Sequence, residues 1–244
     1  MQVWIGICFA VLLLPALVYD GRRDAHLLAI DADTLVLHPD LTRYAVRAGA
    51  GEFAAHCAQC HGSDAIGDPA RGVPNLTDDD WLYGMGEVSD IERVITYGIR
   101  SDNPKAWNLA RMPAYGTLHP SVNKNITPLD PGQIRDVIEY LYYLQGRSRD
   151  QDAVARGAAV YSNGGGCFDC HSIDGRGDSA IGAPNLIDKV NLYGDGSREA
   201  LADSISNGRQ GVCPGWIGKI SPAAIRVMAL YVYSLSHPAA AKAY

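Results

Sequence analysis

Two stretches of the chain set two cysteines and a histidine in the same five-residue frame: Cys57, Cys60 and His61, then Cys167, Cys170 and His171. Two thiols three positions apart, followed at once by an imidazole, suit one chemistry above others. The sulfurs add to the vinyl groups of a haem, and the adjacent histidine becomes the proximal iron ligand. A bare Cys-x-x-Cys would also serve zinc or a thioredoxin-like redox pair. A zinc ribbon needs both pairs in one domain, and a thioredoxin motif lies between a strand and a helix. Two copies at an offset of 110, each with its histidine, fit neither. The expected cofactors are two covalently bound haem c groups. They consume four of the six cysteines, so structural disulfides are not expected, and Cys8 reads as an inert apolar residue.

The elements that must position these residues come in two copies. "CAQCHGSDAIGDPARGVPNLTDDDWLYG" at 57–84 lies on "CFDCHSIDGRGDSAIGAPNLIDKVNLYG" at 167–194 without a gap, and the register continues from 94–98 to 204–208. Upstream, Gly49 and Phe53 match Gly157 and Tyr161, a glycine and an aromatic at i and i+4 on one face of a short helix. Each copy closes with apolar residues at helical spacing, over 133–146 and 224–236. The first copy carries extra residues before this last helix, including "LHPSVNKNITP" at 118–128. No long stretch alternates with period two, so the fold class is mainly α.

The composition bounds the function. The apolar fraction of 47% and charged fraction of 20% are those of a globular chain. A net charge of −6 without a block of Lys or Arg argues against nucleic acid. The acidic run at 77–80 reads as a solvated loop or as steering for a basic partner. Residues 3–19 form a run without charge, at the short end of what spans a bilayer. With no basic residue before it and no clean cleavage site after it, the run reads as a retained anchor rather than a signal peptide. Arg22 and Arg23 conflict with this, because the positive-inside rule puts their end in the cytoplasm. The expected organisation is an anchor at 1–20, a linker at 21–45 and domains at 46–148 and 149–244, with a joint near 146–152.

Both halves resemble class I cytochrome c domains. More narrowly, tandem domains reading "PNLTDDDWLYG", "ITYGIRS" and "MPAYG" behind an anchor are similar to the diheme subunit of cbb3-type haem-copper oxidases, over residues 46–236. The resemblance implies that the N- and C-terminal helices of each domain cross, Gly49 and Phe53 against Tyr140, and Gly157 and Tyr161 against Tyr231. It implies that the Pro74 and Pro184 carbonyls accept hydrogen bonds from His61 and His171. It also implies a sixth iron ligand before the last helix: Met112 in the first domain, whose thioether raises the haem potential. His119 reads as a surface residue. The second domain has no methionine there, and Met228 falls on the buried face of the last helix. Cys213 stands in its place, either as a thiolate ligand that lowers the potential or as a packed thiol that leaves the iron five-coordinate. The iron ligands expected are therefore His61 with Met112 and His171 with Cys213.

The resemblance implies an electron carrier rather than a catalyst. It would take electrons from a soluble cytochrome c or a quinol-oxidising complex and pass them to a membrane oxidase, with residues 3–19 in the lipid and the haem domains on the periplasmic side of the bacterial inner membrane. The chain departs from that family in having one candidate span and a cysteine ligand. An alternative keeps Cys213 at the centre: a diheme enzyme oxidising a sulfur compound such as thiosulfate, for which Arg198, Arg209 and Lys219 would have to converge.

Overall fold

The computed structural model describes residues 21–121 and 126–238; the expected span at 3–19 lies outside them. Among the described residues no helix is long and apolar enough to cross a membrane, and β pairing is limited to isolated bridges. The chain is mainly helical: α1 over 21–29, α2 Pro39–His56, α3 Ala58–His61, α4 Val88–Tyr97, α5 Pro131–Leu144, α6 Gln151–Ala159, α7 Phe168–His171, α8 Arg198–Asn207 and α9 Pro222–Ser236. The closing helices start where their caps dictate. Asp130 accepts from the Gly132 and Gln133 N–H groups while Gln133 accepts from the Asp130 N–H, with Pro131 in the first turn. Ser221 caps α9 in the same position relative to Pro222.

The helices do not pair within each repeat. α2 and α4 pack against α9, whereas α5 packs against α6 and α8. The expected crossings are therefore corrected. Phe53 meets Tyr231 at 5.3 Å between ring centroids, and Tyr161 meets Tyr140 at 5.2 Å. The glycines are what allow the contact: a Cβ on Gly49 would lie 2.1 Å from the Val227 carbonyl oxygen, and one on Gly157 would lie 1.9 Å from that of Asp136. The cause of the exchange is the length of the connection. Only residues 145–150 separate α5 from α6, and so short a link folds two helices back as antiparallel neighbours. With α5 occupied, α2 finds its partner in α9.

Two cores follow. One joins Leu27, Leu35, Phe53, Val88, Ile91 and Ile95 to Ile225, Met228 and Leu230; the other joins Tyr115, Ile134, Val137 and Leu141 to Tyr161 and Ile205. The halves 46–148 and 149–244 are repeats of sequence, but each packed unit takes its closing helix from the other repeat. The stretch expected as a linker at 21–45 is likewise built into the first core, with Leu27 and Leu35 fully buried. Arg226 on α9 holds it there, donating to the Leu27 and Ile30 carbonyls and to Glu92. Arg23 lies over the Tyr44 ring at 4.5 Å, so its charge serves this docking.

The two units face each other about a pseudo-twofold axis. The Gly84 N–H donates to the Ser179 carbonyl, and its counterpart Gly194 donates to that of Pro69, at 3.1 and 3.0 Å. The Tyr83 ring covers Gly182 as the Tyr193 ring covers Gly72. One departure from symmetry lies just before the second motif: the path from Gly157 to Cys167 is two residues longer than that from Gly49 to Cys57. A π-helical turn at Val160–Gly164 takes up the added length.

Candidate functional site

Each Cys-x-x-Cys-His stretch forms a single helical turn, α3 or α7, at the end of a longer helix. The chain then reverses so that a proline carbonyl returns beneath the histidine. His61 Nδ1 lies 3.1 Å from the Pro74 oxygen, and His171 Nδ1 lies 3.0 Å from that of Pro184. A carbonyl can only accept, so Nδ1 carries the proton and Nε2 keeps its lone pair. The reversal is pinned identically in both copies, by Gly67 N–H to the His61 carbonyl and by Gly177 N–H to that of His171, each at 2.9 Å. Burial pushes both imidazoles down in pKa, against the pull of the proline carbonyl. A neutral ring with Nε2 free is the form that ligates a metal.

The sixth-position residues are where the exchange matters most. Cys213 lies on the first unit, not the second. Its N–H and carbonyl exchange hydrogen bonds with Ile99 at 2.9 Å, and Trp216 and Ile217 donate to the carbonyls at the end of α4. Burial and then Cys60 push the Cys213 thiol up to about 11. The Cys57 thiol is likewise raised to about 11, first by burial and then by Cys213 and Cys60. Cys213 thus belongs to the unit that carries Cys57, Cys60 and His61.

Met112 lies on the second unit. Its N–H donates to the Arg209 carbonyl, and Tyr115 and Gly116 donate to Ile205 and Ser206. Met112 packs on the same core as Cys167, and the Tyr115 hydroxyl reaches the Gly165 carbonyl two residues before Cys167. The structure thus places Cys213 on the unit of His61 and Met112 on the unit of His171, not Met112 with His61 and Cys213 with His171 as the repeat alignment implies. The cause is again connectivity: Met112 precedes α5 and Cys213 precedes α9 in the chain, and these closing helices are exchanged.

A matched pair of glycines makes this possible. Gly98 and Gly208, at φ +81 and +68, bring their loops so close that a Cβ would lie 2.4 Å from the Cys213 carbonyl oxygen and 2.5 Å from that of Met112. Met228 is fully buried with its sulfur 3.9 Å from Cys57 Sγ, a core residue that reaches the first motif from the second repeat. His119 is exposed. Arg198 pairs with Glu139, Arg209 pairs with Asp203 and Lys219 lies over Trp216, so the three basic residues are each engaged with a different neighbour.

Between the units lies a group that the sequence reading passed over. The Trp107 indole donates to the Ala180 carbonyl of the opposing loop at 2.8 Å and stands 5.4 Å from the Tyr83 ring. The Arg100 guanidinium donates to the Tyr83 hydroxyl. Tyr83 and Arg100 lie inside the motifs "WLYG" and "ITYGIRS", whereas Trp107 lies in neither and carries no such signal.

The comparisons with known proteins agree in one direction. The family described as "Cytochrome C oxidase, cbb3-type, subunit III" matches residues 44–141 and 152–232. The chain is 38% identical over 205 residues to the "Cbb3-type cytochrome c oxidase subunit CcoP" of Cereibacter sphaeroides, covering 84% of this chain and 66% of that protein. It is 40% identical over 217 residues to the "Cbb3-type cytochrome c oxidase subunit FixP" of a Bradyrhizobium species, covering 88% and 69%. With the CcoP subunit of Rhodobacter capsulatus the identity is 37%, covering 86% and 68%. The chain thus spans about two thirds of the length of these relatives.

Proposed function

Because the chain belongs to the cbb3-type cytochrome c oxidase subunit III family, we propose that it is a diheme electron-transfer subunit that relays electrons, one at a time, to the oxidase. Membership of the family carries covalently bound haem c; two such groups, one on each motif, are our reading of the doubled donor set. Haem c supplies a one-electron ferric–ferrous couple when bound. Cys57 and Cys60 tether one group and Cys167 and Cys170 the other, and His61 and His171 present Nε2 in a direction fixed by Pro74 and Pro184. The thioether of Met112 favours the reduced iron at the second motif. The thiolate of Cys213 favours the oxidised iron at the first. Electrons therefore run downhill from the His61–Cys213 site to the His171–Met112 site.

The observation that supports this reading is that each unit combines a carbonyl-oriented histidine with a sulfur residue delivered by the other repeat. Anchoring through residues 3–19, a periplasmic position for the two units and a donor such as a small soluble cytochrome c or a quinol-oxidising complex complete it. The stretch at 21–38 that follows the proposed anchor packs into the first core. Oxidation of a sulfur compound finds no such support: the relatives are named as oxidase subunits, and Arg198, Arg209 and Lys219 do not form an anion site.

Mass measurement of the denatured chain tests the cofactor reading, with two haem additions expected. Redox titration then gives two separated waves, and Cys213→Met raises the lower one. A single haem addition, or waves that coincide, overturns the reading.

A further inference from the structure

Arg100 reaches the same backbone atom in both repeats. Its Nε donates to the Gly211 carbonyl, its Nη1 donates to the Ala110 carbonyl at 3.0 Å, and its Nη2 donates to the Tyr83 hydroxyl at 2.8 Å. Gly211 stands two residues before Cys213, and Ala110 stands two residues before Met112. Since Cys213 and Met112 occupy equivalent positions of the repeat, one guanidinium beside the pseudo-twofold axis grips the two copies of one carbonyl. The counterpart of Arg100 in the second repeat is Gln210, so the second repeat has no guanidinium at that position.

The surroundings hold Arg100 to this task. Its own N–H donates to the Trp107 carbonyl at 2.9 Å, and its φ of +47 is one that a side chain rarely adopts. The neighbouring Ile99 exchanges backbone hydrogen bonds with Cys213 itself. A planar fork with several donors can serve separate acceptors at fixed angles, which a lysine ammonium on a flexible stem cannot do. We propose that Arg100 is a positioning residue that sets both sixth-ligand loops at once, so that ligation at one haem is mechanically tied to ligation at the other. This rests on the reading above, in which Cys213 and Met112 are the ligands.

The arrangement gives the variants a signature of their own. Loosening both loops lowers the occupancy of thioether at one iron and of thiolate at the other. Those two losses move the potentials in opposite directions. General destabilisation has no reason to do so.

The test uses the full, haem-loaded chain, with Arg100→Lys and Arg100→Gln beside the native protein. The readouts are the two midpoint potentials and the optical and paramagnetic-resonance signatures of methionine and thiolate ligation. In both variants the two low-spin signatures are expected to weaken together, the higher potential to fall and the lower to rise, so that the gap narrows. Met112→Ala and Cys213→Ala serve as references that each disturb one site first. A change confined to one haem, no change at either, or full native behaviour in Arg100→Lys overturns the proposal. Should Arg100→Gln fail to accumulate, Arg100→Lys decides. Absence of both ligand signatures from the native chain is a separate outcome that refutes the ligand reading itself.

Discussion

Replacing Gly208 with alanine separates the exchanged arrangement from a contiguous one, because the same glycine would face different ligands in the two. In the structure Gly208 ends α8 at φ +68 and ψ 172, a region that is essentially glycine's own. A residue with a Cβ costs about 1–3 kcal/mol there. The added carbon would also lie 2.5 Å from the Met112 carbonyl oxygen and 2.9 Å from the Pro113 carbonyl carbon, backbone atoms that yield only if the loop moves. Overpacking of that kind costs about 1–3 kcal/mol more. The sum, about 2–6 kcal/mol, is a large part of an ordinary domain stability of about 5–15 kcal/mol, so the loop is expected to shift rather than the chain to unfold. Denaturant titration reads the destabilisation, and the methionine–iron optical band reads the displacement of Met112. Gly98→Ala should instead disturb the Cys213 site, since its Cβ would lie 2.4 Å from the Cys213 carbonyl oxygen. If Gly208→Ala leaves the methionine signature intact and alters the cysteine-linked wave, the exchange is refuted.

Three further outcomes test the packing. A double-mutant cycle on Phe53 and Tyr231, whose rings lie 5.3 Å apart, should give a coupling of about 0.5–1.5 kcal/mol. The same cycle on Phe53 and Tyr140 should give none beyond error, and equal couplings would contradict the helix pairing. Arg226→Leu removes the half-buried ion pair with Glu92 and both contacts to the end of α1, at a cost of about 2–4 kcal/mol. Faster hydrogen exchange over 21–38 is the expected mark, and unchanged protection there would show that the stretch is held by other means. Asp80 supplies the pH dependence. Its carboxyl is pushed up to about 6, first by partial burial and then by Asp188, Asp78 and Asp79, so the folded chain binds a proton more readily than the unfolded chain between about pH 4 and 6. Stability falls as pH rises through that window, and the loss persists above it. Because Asp80 is exposed, solvent screening limits the effect to below about 1 kcal/mol. Asp80→Asn should gain that amount at pH 7 and nothing at pH 4, and an equal gain at both would count against the electrostatic cause.

The attachment motifs, the oriented histidines and the helical class were legible because each is a local statement: residue types at fixed spacing inside one or two turns. His61 meets Pro74 and His171 meets Pro184 across the same 13-residue separation, with Gly67/Gly177, Asp68/Asp178 and Gly72/Gly182 shared between the loops, and a loop that closes on itself can be read from its own letters. The partner of each helix was not local. Gly49 and Phe53 offer the same docking surface as Gly157 and Tyr161, and α5 and α9 offer the same answering face, so hydrophobic pattern has no preference between the two pairings. A duplication makes self and neighbour chemically equivalent, and matching of repeats then assigns every ligand to its own half by default.

What breaks the tie is the length of the connections, itself a property of the sequence. Six residues between α5 and α6 allow a hairpin, whereas α2 is separated from α5 by the motif, α4 and the long insertion before Asp130. The order of closure follows from loop entropy, because the short loop costs least to close and removes α5 from competition first. Each sixth ligand then travels with the closing helix that follows it, Met112 with α5 and Cys213 with α9. On the ligation proposed above, the cysteine that stands for methionine in the second repeat would act at the first motif, so that one residue of the second repeat would set the potential of the N-terminal half of the relay.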